Sequence, residues 1–222
     1  MHQIQKKIIQ KLIYSLELKY SDLKGPTLAS DRFWFHLKHL ITQGYIEKQS
    51  DKYILTMHGR LKAQEFNNIT LKDIIKPLTM VVVVLEHKGK YIVTKRLKQP
   101  FHGYHSFPGG KVEFGETLSA AATRVIKSEL GITVTDFTLK GTQHEMNVNK
   151  SGEIIRDVFV YLVKGTAARL PRKTELKEGT LLLTDELTYK KLDPQFKDVD
   201  AFFTNLTNPQ IFFEEYCTDQ EP

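Results

Sequence analysis

Apolar residues near the start of the chain recur every three or four positions. The first such run predicts a helix of about three turns, with one face formed by Ile4, Ile8, Ile9, Leu12 and Ile13. Tyr20 to Leu23 predicts a second, short helix, because the Gly25-Pro26 pair that follows breaks the pattern. The chain therefore begins with two helices in close succession.

A third helix and a hairpin come next. Ser30 is a favourable N-cap residue and predicts a helix that runs to about Gln43 and stops at Gly44. Helical spacing assigns its buried face to Phe33, Leu37, Leu40 and Ile41. Two short runs, 45–48 and 53–56, flank a polar turn and predict a two-stranded hairpin, and a further helix is predicted over about 57–66.

From Met80 the pattern changes to that of strands. Residues 81–86 and 91–95 predict a hairpin, and a helix over about 117–130 follows a stretch rich in Gly and Pro. Further strands are predicted over 132–141, 154–163 and 180–183, with a last helix over about 194–205. Strands on either side of a buried helix indicate an α/β domain.

The helices and hairpin of residues 1–67 resemble the winged helix-turn-helix superfamily. The stretch HLKHLITQGYIEKQSDKYILTMHGR is similar to the recognition helix, wing and following helix of small bacterial regulators. The resemblance implies a module for DNA binding, or alternatively one for dimerisation or protein docking. For DNA it implies contacts to phosphates and base edges from Arg32, His36, Lys38, His39, Lys48 and Lys52. We expect Trp34 and Phe35 to be packing residues.

The basic excess of the chain lies in the same segment. Residues 1–76 carry 13 Lys and Arg against 7 Asp and Glu, whereas residues 77–222 carry 19 of each. This distribution favours a polyanion or an acidic partner for the first segment. A solvated, lysine-rich surface is the alternative.

A motif of fixed spacing follows Phe107. The stretch FPGGKVEFGETLSAAATRVIKSELGITV resembles the box of the Nudix superfamily: Gly, five residues, Glu, seven residues, then Arg-Glu-aliphatic-any-Glu-Glu-any-Gly-aliphatic. The positions that match in register are Gly110, Glu116, Arg124, Ile126, Glu129, Gly131 and Ile132. The resemblance extends over about residues 79–205. It implies a Nudix-type α/β/α sandwich with a mixed sheet, and a substrate in which a nucleoside diphosphate is linked to another group.

The resemblance also implies a chemistry that this chain has partly lost. Helix carboxylates of the family present oxygens to Mg²⁺, which clamps phosphate oxygens and helps to generate the nucleophile. Val125 and Ser128 stand where two of the three glutamates are expected, so Mg²⁺ binding should be weakened. Glu129, Glu116 and Arg124 are the remaining catalytic candidates, and the two glutamates are also the candidate metal ligands. A salt bridge that fixes the loop on the helix is the alternative role for Glu116 and Arg124.

Other residues complete the predicted site. Glycines allow backbone to approach phosphates closely, and the predicted ligand-binding residues are Arg96, Gly109, Gly110 and Lys111. A missing carboxylate could come from the following strands, from Glu145, Glu153 or Asp157.

We divide the chain into a winged helix-turn-helix domain (1–67), a connector (68–78), a Nudix domain (79–207) and a C-terminal tail (208–222). No apolar run reaches the roughly 18 residues needed to cross a bilayer, and the N-terminus lacks the apolar core of a signal peptide. The single cysteine, Cys217, excludes an internal disulfide. We expect a cytoplasmic protein without a membrane partner.

Two functions follow from these resemblances. The first is a ligand-sensing regulator, similar to Nudix-related transcriptional regulators with the order of modules reversed. Its Nudix domain binds a nucleotide-type small molecule with weak or no hydrolysis, and its winged helix binds double-stranded DNA. The alternative is a Mg²⁺-dependent Nudix hydrolase with a rearranged metal site, whose winged helix forms a homodimer. A protein-interaction scaffold that binds no nucleotide is a third hypothesis.

Overall fold

The computed structural model describes residues 1–99, 101–196 and 199–219, and the chain forms two compact units, Met1–Ile75 and Lys76–Pro222. The helices of the first unit are α1 (Gln3–Ile13), α2 (Tyr20–Lys24), α3 (Ser30–Thr42) and α4 (Met57–Lys62), which continues into a 3₁₀ turn (Ala63–Glu65). Its strands are β1 (Leu18–Lys19), β2 (Ile46–Gln49) and β3 (Lys52–Leu55), paired antiparallel in the order β1-β3-β2.

The core of the first unit forms from the predicted helical stripes. Its fully buried members include Ile8, Ile9, Phe33, Leu37 and Leu40. The N-cap of α3 was predicted wrongly, because Ala29 occupies that position and no side chain caps the helix.

The second unit is built on one mixed sheet. Its elements are β4 (Leu78–His87), β5 (Lys90–Arg96), β6 (His105–Ser106), β7 (Gly109–Lys111), α5 (Leu118–Leu130), β8 (Phe137–Val148), β9 (Ile154–Thr166), β10 (Gly179–Thr184), α6 (Glu186–Tyr189), α7 (Val199–Leu206) and β11 (Phe212–Thr218). The strand order is β10-β5-β4-β9-β8-β11, with β6 beside β5 and β7 beside β4. The pairs β4–β9 and β8–β11 are parallel and the others antiparallel, which confirms the predicted mixed sheet.

Apolar side chains cover both faces of this sheet. On one face α5 packs through Ala121, Val125 and Ile126 against alternate residues of β4. On the other face α6 and α7 contribute Tyr189, Phe202, Phe203 and Leu206. Among the described residues no helix combines the length and apolar character needed to cross a membrane.

Two segments belong to other parts of the fold than the predicted domain boundaries imply. The expected connector, 68–78, packs largely on the first unit: Leu71 is buried in its core, and Lys6 Nζ donates to Leu71 O at 2.9 Å and pairs with Asp73 at 2.8 Å. The expected tail, 208–222, contains β11, which pairs with β8 at the edge of the sheet. Both assignments depend on partners far away in sequence, which local composition does not reveal. Lys197 and Asp198, which fall within the predicted last helix, lie outside the described residues.

Candidate ligand-binding site

Helix α5 lies along the glycine-containing strand β7. Arg124 Nη2 donates to the Lys111 carbonyl oxygen at 2.8 Å. One residue later, Val125 packs on Gly110, where an added Cβ would stand only 2.8 Å from Val125 Cγ2. Glu129 accepts a hydrogen bond from the Gly109 backbone amide. The two glycines therefore serve a close helix–strand contact at this point.

Glu116 and Arg124 form a bidentate ion pair. Arg124 donates from Nε to Glu116 Oε1 at 2.8 Å and from Nη2 to Glu116 Oε2 at 2.7 Å. The Glu113 amide donates to the same Oε2 at 3.0 Å. The Arg124 guanidinium lowers the pKa of Glu116 from 4.5 to about 2. Because both carboxylate oxygens are engaged, this geometry favours the structural alternative for the pair.

We predict that this ion pair gives the fold an acid-sensitive contribution. A depressed carboxyl pKa stabilises the folded state above the unfolded pKa, and that stabilisation is lost as pH falls from about 4.5 through about 2. Glu116→Gln should therefore lower the melting temperature at pH 7 and flatten its decline in this pH range. Thermal melts over a pH series would measure the effect. Glu113→Gln, which removes an exposed carboxylate 3.6 Å from Arg124 Nη1, is the matched control. Parallel pH profiles for wild type and Glu116→Gln would contradict the prediction.

The positions of the two missing glutamates differ in environment. Val125 is 4% exposed and belongs to the core between α5 and β4. Ser128 is exposed on the same helix. Val125 thus fills apolar space, and only position 128 is open to solvent.

Glu129 lies in a small pocket that is lined by both carboxylate and cationic side chains. Arg96, Lys98 and Glu178 line this pocket with Glu129, and Lys98 forms an ion pair with Glu178. Burial, and secondarily the nearby Glu178 carboxylate, raise the pKa of Glu129 from 4.5 to about 7. Burial also lowers the pKa of Arg96. Lys98 and Glu178 are not predicted by the sequence, because only the pairing of β5 with β10 brings them together.

The other candidate carboxylates have partners of their own. Asp157 Oδ1 pairs with His144 Nε2 at 2.8 Å, and Glu153 Oε2 accepts from Asn149 Nδ2 at 2.9 Å. Glu145 is buried and pairs with Arg156. Of these three carboxylates, Glu145 lines the same cavity as Arg96 and Gly109.

The donor set on α5 has fewer carboxylates than the resemblance to the family implies for Mg²⁺. Valine offers no oxygen, Glu116 is held by Arg124, and Glu129 shares its pocket with the side chains of Arg96 and Lys98. Within residues 1–99, 101–196 and 199–219, no group of three or more His, Cys, Asp or Glu side chains is placed to hold a metal. Mg²⁺ prefers several hard oxygens, which this arrangement does not supply.

Arg96 also lines a second cavity, a cleft. Its apolar walls come from the sheet and from the helices that cover it, through Met80, Val82, Val160, Tyr189, Phe196 and Phe202. Its polar residues include Arg96 and Arg156, and Arg156 Nη1 pairs with Glu145 Oε1 at 2.9 Å. The guanidinium of Arg156 also lies 5.7 Å from the centre of the Phe101 ring. The cleft thus combines aromatic surface with Arg96 and with the Arg156–Glu145 ion pair, both members of which line it.

The predicted ligand-binding residues are only partly brought together. Arg96 and Gly109 line the cleft, whereas Gly110 faces Val125. Lys111 is exposed and lines a separate depression beside Phe114. Arg156, by contrast, is a cleft residue that the sequence analysis missed. No motif marked it, since a strand arginine is usually read as a surface charge.

The predicted DNA-contacting residues fall into two groups. Arg32, Lys38 and His39 are exposed on α3, and Lys48 is exposed on β2. His36 was predicted to contact DNA, but it is only 8% exposed and stacks on His2, with ring centroids 4.3 Å apart. His36 follows Phe33 by three positions and therefore falls on the buried stripe, where burial lowers its pKa.

Two further expectations about the first unit change. Lys52 is half-buried and forms an ion pair with Glu17, so its charge is already partly neutralised. Trp34 and Phe35 were predicted to be packing residues, but they are 46% and 68% exposed. They lie between the positions of the apolar stripe and face away from the core.

Comparison with known proteins assigns the second unit to a family. Residues 76–202, more than half of the chain, match the family described as the NUDIX domain, and the chain belongs to that family. It is 34% identical to the ADP-ribose pyrophosphatase of Methanocaldococcus jannaschii over 91 residues, which are 41% of this chain and 54% of that protein. The chain thus spans about half the length of the curated relatives it matches.

Two solved structures share the fold. The mutator MutT protein of Bacillus halodurans superposes with a TM-score of 0.55 at 22% identity, over 65% of this chain and 93% of that one. The NUDIX domain of Shewanella oneidensis NrtR, solved in complex with ADP ribose, has a TM-score of 0.50 at 13% identity, over 68% of this chain and 96% of that one. At these identities the likeness concerns the fold alone.

Proposed function

We propose that this protein is a ligand-sensing regulator, in which a NUDIX domain binds a nucleoside diphosphate-type ligand with little or no hydrolysis and a winged helix binds duplex DNA. The proposal of little or no hydrolysis rests on the packing of Val125 on Gly110. An apolar contact occupies the place where the family's resemblance implies a carboxylate. Loss of one charge-stabilising group typically costs about two to three orders of magnitude in rate.

The cleft supports a nucleotide-type ligand. Aromatic side chains such as Tyr189 and Phe196 offer surface for a base, and Arg96 and Arg156 offer charge for phosphates. ADP-ribose is the first probe to use, because one relative acts on it and one protein of the same fold was solved with it bound.

A hydrolase is the second candidate function. It is favoured by the identity to an ADP-ribose pyrophosphatase and by Glu129, whose pKa of about 7 suits a general base or acid at neutral pH. Arg96 beside it would stabilise charge on the diphosphate.

The DNA-binding part rests on the first unit. Its order of helices, followed by the hairpin β2–β3, agrees with a winged helix, and α3 presents Arg32, Lys38 and His39 to solvent. We place the winged helix in the first unit, Met1–Ile75, and the NUDIX domain in the second, Lys76–Pro222. A homodimer would present two such helices to one DNA site.

We expect ADP-ribose to bind the full chain without being consumed. A ligand that binds only the folded state stabilises it by about 2.7 kcal/mol at 100 times its dissociation constant, so the melting temperature should rise with ligand. Arg96→Ala should weaken this effect roughly tenfold or more, since a charged hydrogen bond is lost. Lys95→Ala, an exposed lysine on the same strand, is the control. AMP release would be followed in parallel, and rapid Mg²⁺-dependent release would favour the hydrolase instead.

A further inference from the structure

The pocket around Glu129 has a charge pattern of its own. Two carboxylates, Glu129 and Glu178, share it with two cations, Arg96 and Lys98. Lys98 pairs directly with Glu178. The resemblance to the family implies that a divalent ion neutralises the carboxylates of this helix. Here the Lys98 ammonium and the Arg96 guanidinium already supply two positive charges.

Backbone pairing holds this arrangement in place. Gly179 lies opposite Arg96 in the β5–β10 ladder, and the Leu97 amide donates to Glu178 O at 2.9 Å. An added Cβ at Gly179 would stand 2.6 Å from the Lys95 carbonyl oxygen, so a glycine is needed for the strands to approach this closely. The pairing of β5 with β10 therefore holds the backbone next to Glu178 and Lys98 in place.

We propose that Lys98, together with Arg96, replaces the metal ion, so that the diphosphate of the ligand binds this protein without Mg²⁺. The inference rests on the proposed nucleotide binding and names how that site recognises phosphate. Arg96 lines both the pocket and the cleft, so a phosphate held by Arg96 is shared between the two. The Lys98 side chain is 45% exposed, so its ammonium can exchange Glu178 for a phosphate oxygen of a ligand in the cleft.

Calorimetric titration of the full chain with ADP-ribose tests the proposal. The dissociation constant should agree within about twofold in EDTA and in excess MgCl₂. Lys98→Ala should weaken binding roughly tenfold or more, because a charge-assisted contact is lost. Lys98→Arg should retain most of the affinity, and Lys95→Ala should retain all of it. Affinity that requires Mg²⁺, or that is indifferent to Lys98→Ala, would overturn the metal-free site while leaving nucleotide binding intact. No binding of ADP-ribose, ADP or UDP-sugars in either buffer would overturn both proposals.

A second readout uses Mn²⁺ alone, followed by its electron paramagnetic resonance signal. The wild-type protein should bind Mn²⁺ weakly, because Lys98 pairs with Glu178 and lines the pocket beside Glu129, where its charge repels a cation. Lys98→Ala should bind Mn²⁺ more tightly, since it leaves Glu129 and Glu178 without that positive charge, and Glu178→Gln in the same background should reverse the gain. Equal Mn²⁺ affinity in wild type and Lys98→Ala would contradict the replacement.

Discussion

Val125→Glu is expected to destabilise the NUDIX domain by roughly 3–5 kcal/mol, as an uncompensated buried charge does, and not to rebuild a metal site. Residue 125 lies in the core, and the Val125 side chain packs so closely on Gly110 that a Cβ at position 110 would have no room. A longer, charged side chain would therefore lose apolar burial and bring a carboxylate into a dry space.

Melting temperature is the measurement, and a fall of about 10 °C or more corresponds to this loss for a domain of this size. Burial would raise the pKa of the new carboxyl above its unfolded value. The penalty should then be largest at neutral pH and shrink as the pH falls toward 4 and the carboxyl is protonated.

Ser128→Glu is the matched control for Val125→Glu. It adds the same charge on the same helix at an exposed position and should change the melting temperature little. The double variant should melt like Val125→Glu alone. If it instead melts like wild type and gains Mg²⁺-dependent turnover, the side chain at position 125 can reach solvent, and the degenerate-site hypothesis is wrong.

The full chain is expected to bind duplex DNA at low salt and to lose roughly 100-fold in affinity between 50 and 200 mM salt, if about four phosphates are contacted. The residues that support this number are Arg32, Lys38 and Lys48, together with the exposed imidazole of His39. Each phosphate contact releases counterions, so the logarithm of the affinity falls linearly with the logarithm of salt concentration.

Arg32→Ala with Lys38→Ala should weaken DNA binding and reduce the salt slope by about two. Fluorescence anisotropy with a labelled duplex would measure both quantities. Lys90→Ala with Lys95→Ala removes the same charge from the second unit and should leave the slope unchanged. Undetectable binding at about 50 mM salt, or an equal loss in both double variants, would favour a protein-docking or dimerisation role for the first unit.

The residues of the candidate site differ in how far sequence could predict them. Glu116 and Arg124 lie eight positions apart in one motif, and a salt bridge between them was a stated alternative. Val125 was recognised as a missing carboxylate, but its burial against Gly110 follows from the approach of α5 to β7. Lys98 and Glu178 are 80 positions apart, and no pattern connects them until β5 and β10 pair.

The local sequence alone determined where helices α3 and α5 end and which of their faces is buried, because both depend on nearby residues. Gly44 follows the end of α3 and Gly131 follows the end of α5, where left-handed backbone favours glycine. The stripe from Phe33 to Leu40 lies in the core of the first unit. The spacing of the NUDIX box likewise identified the fold of the second unit, because those residues meet within one loop and one helix.

Only the tertiary structure decided which polar groups are buried and which charges meet. His36 shares the buried stripe and stacks on His2, whereas Trp34 and Phe35 face solvent. Arg156 enters the cleft because β8 and β9 bring it to Glu145, and β11 joins the sheet through β8. Desolvation and long-range pairing depend on the packing of distant segments, and a periodic pattern in one segment carries no information about its partner.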